Sequence, residues 1–340
     1  MKNTLKRITQ VSLILIFAIS LFSCSNDDDA PKLTPQQTNV YVAGYENNGE
    51  VNAAKIWKNK TGTSLTDGSN TSYASSVFVK GNDVYVAGSG YNGTELIAKM
   101  WKNGTVTNLT DGSNFAQARS VFVHNNDVYV AGFGHNGANY VAKIWKNGIV
   151  TDLSGGSKSA LASSVFVSGN DVYVVGYESN SAKIWKNGEA KDLTDGSNYA
   201  HARSVFVSGN DVYVVGYESN GTEDIAKIWK NGIATDLTDG SKDARANAVF
   251  VSGNDIYVAG YESNGTEDIA KIWKNGEAKD LTDGSNFAQA RSVFVHNNDV
   301  YVVGHEHNGT NKVAKIWKNG IATDLSDGSN TALASSVFVK

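Results

Sequence analysis

The chain has 340 residues, of which 41% are hydrophobic and 19% charged; its formal net charge is -4, and it contains one cysteine. A chain of this length and apolar content can bury a sizeable core. The acidic balance argues against nucleic acid as a partner, and a single cysteine excludes an internal disulfide.

Residues 1–23 have the pattern of a lipoprotein signal peptide. A basic start precedes an apolar run over residues 11–22, which is too short to span a bilayer comfortably. The tetrapeptide "LFSC" that follows resembles a bacterial lipobox, in which the cysteine is lipidated and begins the mature chain. Cys24 is therefore the expected lipidation site, and the alternative is a buried or reactive thiol.

Residues 24–38 have the composition of a lipidated acidic tether. They contain Asp27, Asp28 and Asp29 and both prolines of the chain, so they are too polar and too interrupted to fold alone. An acidic cluster after a lipidated cysteine resembles the surface-export signal of Bacteroidetes lipoproteins; the alternative is an ordinary linker. We therefore expect an outer-membrane lipoprotein that is exposed at the cell surface and contacts the membrane through Cys24.

Residues 39–340 consist of seven copies of one unit. All tryptophans of the chain belong to this series and recur every 44 residues, with one interval of 40: Trp57, Trp101, Trp145, Trp185, Trp229, Trp273 and Trp317. Self-similarity at such a period is typical of solenoids and propellers.

Each unit contains four short runs that we expect to be strands, named A to D in chain order. The runs "SVFV" (A) and "DVYVVG" (B) are joined by "SGN", and "IAKIWK" (C) and "IATDLT" (D) are joined by "NG", a strong hairpin signal. Runs such as "VFV" and "VYV" have no polar face, which predicts strands covered on both sides. The sequence therefore predicts an all-β fold, a seven-bladed β-propeller of four-stranded antiparallel blades.

The two ends of the repeat region complement each other. The first unit begins at strand B, near residues 40–44, and the last unit ends at strand A, near residues 336–339. We expect the C-terminal strand A to pair with the N-terminal strand B, which closes the ring and leaves no open sheet edge. An open solenoid, the alternative, would need polar capping repeats, and none is visible.

The units differ most in the connection from strand D to the next strand A. Its seven versions are "TSYAS", "FAQAR", "SALAS", "YAHAR", "DARAN", "FAQAR" and "TALAS". The second and fourth places are small, whereas the first, third and fifth places vary. In an extended segment side chains alternate with a period of two, so the varying places lie on one side. We expect that side at the disc face that also carries the B to C loops.

The candidate ligand-binding residues are the varying places of four connections. An aromatic ring beside amide and guanidinium donors suits a sugar ring or a peptide segment. Alternatively, these side chains only pack on the neighbouring B to C loops. The candidates are Phe115, Gln117, Arg119, Tyr199, His201, Arg203, Asp243, Arg245, Asn247, Phe287, Gln289 and Arg291, of which residues 243–247 break the pattern and mark an asymmetric spot.

The remaining motifs favour structural roles. A tryptophan between apolar neighbours is more typical of a core than of a glycan platform. One aspartate per "LTDGS" segment suits a turn cap better than a calcium site, and His305 with His307 lacks a third metal ligand. No nucleophile elbow, phosphate-binding glycine loop or separate carboxylate pair is present. The sequence indicates no cofactor and no metal.

The repeat "VYVAGYE…AKIWKNG…TDLTDGSN…ASSVFVSGND" resembles one found in Bacteroidetes lipoproteins expected to form propellers. The resemblance implies the fold and a surface location but no ligand. It lacks the Trp-Asp ending of WD40 blades and the Gly-Gly doublet of kelch blades.

These observations lead to a function hypothesis: a monomeric, non-catalytic cell-surface module that binds a glycan or another repeating ligand, with avidity from several similar sites. One alternative is a scaffold for a protein partner with a single composite patch. Another is a propeller enzyme that uses the odd connection at residues 243–247.

Overall fold

Residues 38–340 are described by the computed structural model, and in this part of the chain all regular secondary structure is β-strand. None of these residues belongs to a helix with the length and apolarity that a membrane span requires. The predicted signal peptide, Cys24 and nearly all of the predicted tether lie outside the described residues.

Strands A and B form a tight hairpin wherever they follow each other in the chain, which holds for all but the first B strand and the last A strand. The A strands are β4 (Ser72–Lys80), β8 (Ala116–His124), β12 (Ala160–Ser168), β16 (Ala200–Ser208), β20 (Ala244–Ser252), β24 (Ala288–His296) and β28 (Ala332–Val339). The B strands are β1 (Val40–Asn47), β5 (Asp83–Tyr91), β9 (Asp127–His135), β13 (Asp171–Glu178), β17 (Asp211–Ser219), β21 (Asp255–Ser263) and β25 (Asp299–His307).

Strands C and D form the second hairpin. The C strands are β2 (Asn52–Lys58), β6 (Leu96–Lys102), β10 (Tyr140–Lys146), β14 (Ser181–Lys186), β18 (Asp224–Lys230), β22 (Asp268–Lys274) and β26 (Lys312–Lys318). The D strands are β3 (Thr61–Ser64), β7 (Thr105–Asn108), β11 (Ile149–Asp152), β15 (Glu189–Asp192), β19 (Ile233–Asp236), β23 (Glu277–Asp280) and β27 (Ile321–Asp324).

The strands form seven antiparallel sheets of four, each in the order A, B, C, D. Blade 1 combines both ends of the chain, because β28 pairs with β1 and Val339 lies opposite Val40. Blades 2 to 7 follow in chain order, from β4–β7 to β24–β27. The predicted seven-bladed propeller and its closure are confirmed.

The A strands surround the central axis and line the channel of the disc. Their phenylalanines form a closed ring in which neighbouring ring centroids are 4.7–5.0 Å apart: Phe78, Phe122, Phe166, Phe206, Phe250, Phe294 and Phe338. We call this ring the phenylalanine collar. It makes one level of the channel apolar.

The apolar core lies between the blades. All seven tryptophans are 0–1% exposed, which confirms their predicted core role. Trp229 of blade 5, for example, packs in one buried cluster with Tyr173 and Val175 of blade 4. The prediction that every strand is covered on both sides is wrong for the D strands, which are almost wholly exposed. Edge strands of only four residues offer little backbone for unwanted pairing.

A β-bulge in each A strand shapes the channel wall. In blade 5 it lies between Ala202 and Ser204, opposite Gly216. A Cβ atom at Gly216 would lie 2.0 Å from the carbonyl oxygen of His201, so only glycine fits there. The bulge inserts one residue, so Arg203 and Ser204 are both half-buried beside the channel while Ala202 and Val205 are buried.

Candidate functional site

One mouth of the central channel opens into a cavity of about 440 Å³. It lies where the D to A connections enter the A strands. Six of the predicted candidates line it, namely Gln117, Arg119, His201, Arg203, Asn247 and Arg291. The structure therefore brings together side chains that are far apart in sequence, although their role in binding stays a prediction.

All seven residues at the fifth place of the connections line this cavity. In blade order they are Ser75, Arg119, Ser163, Arg203, Asn247, Arg291 and Ser335. We call this set the arginine ring. Each arginine has a small polar residue on either side, so the three guanidinium groups have room to point towards a common ligand.

The three arginines of this ring carry uncompensated positive charge. Among the arginines of residues 38–340, only Arg245 has an ion pair, to Asp224. Burial and the nearby Arg203 lower the pKa of Arg119 to about 10 and also lower the pKa of Arg291. The Arg119 side chain is exposed at the mouth. The positive charge of these arginines thus favours binding of an anion at the mouth.

Two guanidinium nitrogens at this site are buried without a hydrogen-bond partner, Nε of Arg203 and Nε of Arg291. A buried donor without an acceptor costs free energy in the free protein. An anionic ligand with several oxygens would provide acceptors, and hydrogen bonds to a charged partner are stronger than neutral ones.

His201 lies under the arginines and is 7% exposed. Its Nε2 is 2.7 Å from Oγ of Ser163, and the ring of Tyr177 contacts it edge-on with centroids 4.8 Å apart. Burial and the charges of Arg203, Arg119 and Arg245 hold the pKa of His201 well below its usual value. The imidazole is therefore neutral at neutral pH.

The first-place residues pack against the ends of B strands and do not line the channel mouth. Phe115 contacts Phe133 at 5.9 Å between centroids, and Phe287 contacts His305 at 5.7 Å. Tyr199 contacts Tyr177 at 5.6 Å and remains 37% exposed. These contacts are made with B strands, whereas the alternative interpretation expected packing on the B to C loops.

The odd connection at residues 243–247 differs from the other connections in how it is hydrogen-bonded to the next blade. In six blades a serine hydroxyl accepts a hydrogen bond from the backbone N–H of a valine in the following blade, as Ser120 does from Val165 at 3.2 Å. Blade 6 has Ala248 at that place, and Asn247 instead donates from its amide to the carbonyl oxygen of Ala290 at 2.8 Å.

The other two residues of the odd connection are held by acidic and phenolic groups. Arg245 is ion-paired, its Nε and Nη2 both 2.7 Å from Oδ2 of Asp224. Asp243 accepts a hydrogen bond from the hydroxyl of Tyr261 at 3.4 Å. Gln289, the corresponding residue of blade 7, donates to Asp268 at 2.6 Å and accepts from Nη2 of Arg291 at 3.1 Å. Arg245 thus has a carboxylate partner, unlike the three arginines of the ring.

Sequence reasoning missed the serines of the arginine ring, Ser75, Ser163 and Ser335. A signal was present, because they occupy the same fifth place as the arginines. Within residues 38–340, no group of three or more histidine, cysteine, aspartate or glutamate residues is arranged to hold a metal ion. The aspartates of "LTDGS" cap turns as expected; Asp195, for example, accepts from the backbone N–H of Ser197 at 2.9 Å.

Comparisons with known proteins bear on the fold. No protein-family model and no curated protein sequence matches the chain. Among solved structures, it is similar to an acylaminoacyl peptidase of Pyrococcus horikoshii, with a TM-score of 0.52 and 13% identity over 86% of this chain and 51% of the other. It is also similar to a structure from work on two prolyl endopeptidases and the role of inter-domain dynamics in their catalysis and specificity. The TM-score is 0.52 and the identity 12%, over 89% of this chain and 50% of the other.

These similarities correct the function hypothesis. The prediction of a non-catalytic surface module for glycans is contradicted, because the two similar structures named above come from work on peptidases. The expectation that the chain is not an enzyme is contradicted by the same finding. At 12–13% identity the likeness itself shows the fold alone, and the chain spans about half the length of these neighbours.

Proposed function

We propose that this chain is the peptide-binding propeller of a peptide-hydrolysing system and that the arginine ring holds a carboxylate of the peptide. The observation that carries the proposal is the set of three guanidinium groups, Arg119, Arg203 and Arg291, that line one cavity without ion-pair partners among the described residues. Arginine matches the planar geometry of a carboxylate.

A peptide is the favoured ligand class for two reasons. The two similar structures named above come from work on peptidases, which act on peptides. Peptides also carry carboxylates at their C-terminus and on acidic side chains. An anion between the arginines would offset their mutual repulsion and give acceptors to the unpartnered Nε atoms of Arg203 and Arg291.

The test is binding of a fluorescein-labelled peptide with a free C-terminal carboxylate to the full chain, measured by fluorescence polarisation beside the same peptide as its amide. We expect the acid to bind about tenfold or more tightly than the amide, because each lost charge-assisted contact costs about 1.5–3 kcal/mol. Higher salt should weaken binding of the acid.

A matched pair of variants locates the site. Arg203→Gln should weaken binding of the acid about tenfold or more. Lys242→Gln removes one positive charge from the same face outside the ring, where Lys242 donates to the carbonyl oxygen of Asn264 at 3.0 Å, and should leave affinity nearly unchanged. Equal binding of acid and amide, or equal losses in both variants, would refute the proposal.

We also propose, from the sequence around Cys24 alone, that the chain is a lipoprotein anchored in the outer membrane and exposed at the cell surface. Cys24→Ser should abolish incorporation of labelled fatty acid in cells and release the protein from the membrane fraction. Unchanged labelling of that variant would refute the anchor.

A further inference from the structure

The rim of the channel mouth is lowest at blade 4. In the other six blades four residues separate strand B from strand C, for example 136–139 in blade 3 and 220–223 in blade 5. In blade 4 only Ser179 and Asn180 lie between β13 and β14. The first place of the adjoining connection is also small, Ser159. Blade 4 therefore leaves a notch in the rim, roughly 3–7 Å deep at 3.3 Å per strand residue.

Aromatic side chains stand on both sides of this notch. On blade 3, Tyr140 packs against Phe133 at 5.3 Å between centroids and against Phe115 at 5.9 Å. On the blade 5 side, Tyr199 packs against Tyr217 at 6.0 Å. Tyr140 and Tyr199 are each 37% exposed, so both present ring surface to a ligand.

The floor of the notch is aromatic as well. Tyr177 of blade 4 contacts Tyr199 edge-on at 5.6 Å. Burial raises the pKa of Tyr177, and the phenols of Tyr217 and Tyr140 add to this effect. Tyr177 and Tyr199 therefore restrict each other's rotamers before any ligand binds, as Phe133 and Phe115 do for Tyr140.

Each wall of the notch also holds one guanidinium group of the arginine ring. Arg119 lies over the ring of Phe133 at 5.2 Å, and Arg203 lies over the ring of Tyr217 at 5.3 Å. Ser163, the ring residue of blade 4, comes between them in blade order. The notch thus leads from the rim to a pair of arginines that stack on its walls.

Two features restrict where an anionic group can go from there. The phenylalanine collar makes the next level of the channel apolar, so a carboxylate is stabilised at the level of the arginines and would lose that stabilisation at the collar. Asp243, which leads into blade 6, and Asp268 of blade 6 are half-buried carboxylates, and they disfavour an anion on that side.

We propose that the notch is a specificity subsite for the last residue of a peptide, with the terminal carboxylate between Arg119 and Arg203 and an aromatic or large apolar side chain on Tyr140, Tyr177 and Tyr199. The proposal rests on the proposed function, since it names the peptide class that the arginine ring takes. A terminal carboxylate fits because the peptide ends at the arginines, so no further part of it has to pass the apolar phenylalanine collar. A large side chain fits because it covers the exposed tyrosine surface.

The experiment compares three labelled peptides that differ only at the C-terminus: one ending in Phe as the free acid, the same peptide as its amide, and one ending in Gly as the free acid. We expect the Phe acid to bind the full chain about tenfold more tightly than the Gly acid, because burial of a Phe side chain gains that factor or more. Tyr199→Ala and Tyr140→Ala should reduce this preference to about twofold or less.

Tyr91→Ala is the matched control. Tyr91 is a 42% exposed tyrosine at the end of a B strand, on blade 2 and away from the notch, so its loss should leave the preference for Phe unchanged. Circular dichroism melts of all three variants should match that of the parent, because each side chain is partly exposed.

The two proposals fail in different ways. Equal affinity for the Phe and Gly acids, with the amide weaker than both, refutes the notch and leaves the arginine ring standing. Equal affinity for the Phe acid and its amide refutes the carboxylate site itself. A preference for Phe that survives Tyr199→Ala and Tyr140→Ala places the side chain elsewhere and also refutes the notch.

Discussion

Oγ of Ser163 and Nε2 of His201 lie 2.7 Å apart, although the two residues belong to neighbouring blades. The bond joins two A strands at the level of the arginine ring, and it places an imidazole near the charges of Arg203, Arg119 and Arg245. Protonation of His201 would add a fourth positive charge to this cluster. The pair is therefore a neutral hydrogen bond in the free protein, and it makes the fold sensitive to acid.

Acidification should destabilise the propeller through His201 and His305. Both are buried, and burial lowers their pKa values, to about 2 for His305. In the unfolded chain they protonate near pH 6.5. The unfolded state therefore binds more protons below that pH, and the free energy of unfolding should fall by up to about 1.4 kcal/mol per pH unit for each histidine.

Urea unfolding between pH 7 and pH 4.5 measures this dependence. His201→Gln and His305→Gln should each make the dependence on pH less steep. His124→Gln, at the last residue of β8 and at the other disc face, removes a half-buried histidine outside the arginine ring and is the control for loss of an imidazole as such. Retention of the full slope in the His201 and His305 variants would contradict the assignment.

The serine links between A strands should contribute measurably to stability. Ser120→Ala removes the acceptor of the N–H of Val165 and should cost about 1 kcal/mol of unfolding free energy. The reverse change at the odd blade, Ala248→Ser, supplies a hydroxyl where the repeat has lost one, and it should be neutral or slightly stabilising. Chemical denaturation of both variants tests this; stabilisation by Ser120→Ala would contradict it.

Gly216 should not tolerate even a methyl group. Gly216→Ala would place Cβ 2.0 Å from the carbonyl oxygen of His201, so the bulge of blade 5 must distort, at a cost of about 3 kcal/mol. Gly155→Ala is the matched control, because nothing lies within 4 Å of a Cβ atom built there. The melting temperature should drop for the first variant and stay constant for the second. Equal melting temperatures would contradict the prediction, because they would show that the A strand shifts to accommodate the methyl group at little cost.

Ring closure should depend on the last strand. Deletion of residues 334–340 removes most of β28, so β1 loses its partner and blade 1 keeps an open edge. We expect a lower melting temperature and a less cooperative transition. A synthetic peptide of residues 332–340 added in trans should restore stability by strand addition, whereas a scrambled peptide should not. A deletion that melts like the parent would refute closure as a source of stability.

The sequence determined the repeat number, the strand order and the closure of the ring, since these follow from patterns within one unit and from the complementary ends at β1 and β28. Alternation along a strand is a local property, so it can be read from neighbouring residues. The turn-capping role of Asp195 was predictable for the same reason.

Only the tertiary structure decided which candidates share a site. Arg119, Arg203 and Arg291 are separated by at least 84 residues in the chain and meet only because the blades arrange their A strands around one axis. The bulge beside Gly216 and the ion pair between Arg245 and Asp224 are likewise products of pairing and packing. Charge compensation depends on distance in space, which a linear pattern does not contain, so the uncompensated arginine ring became visible only in the folded disc.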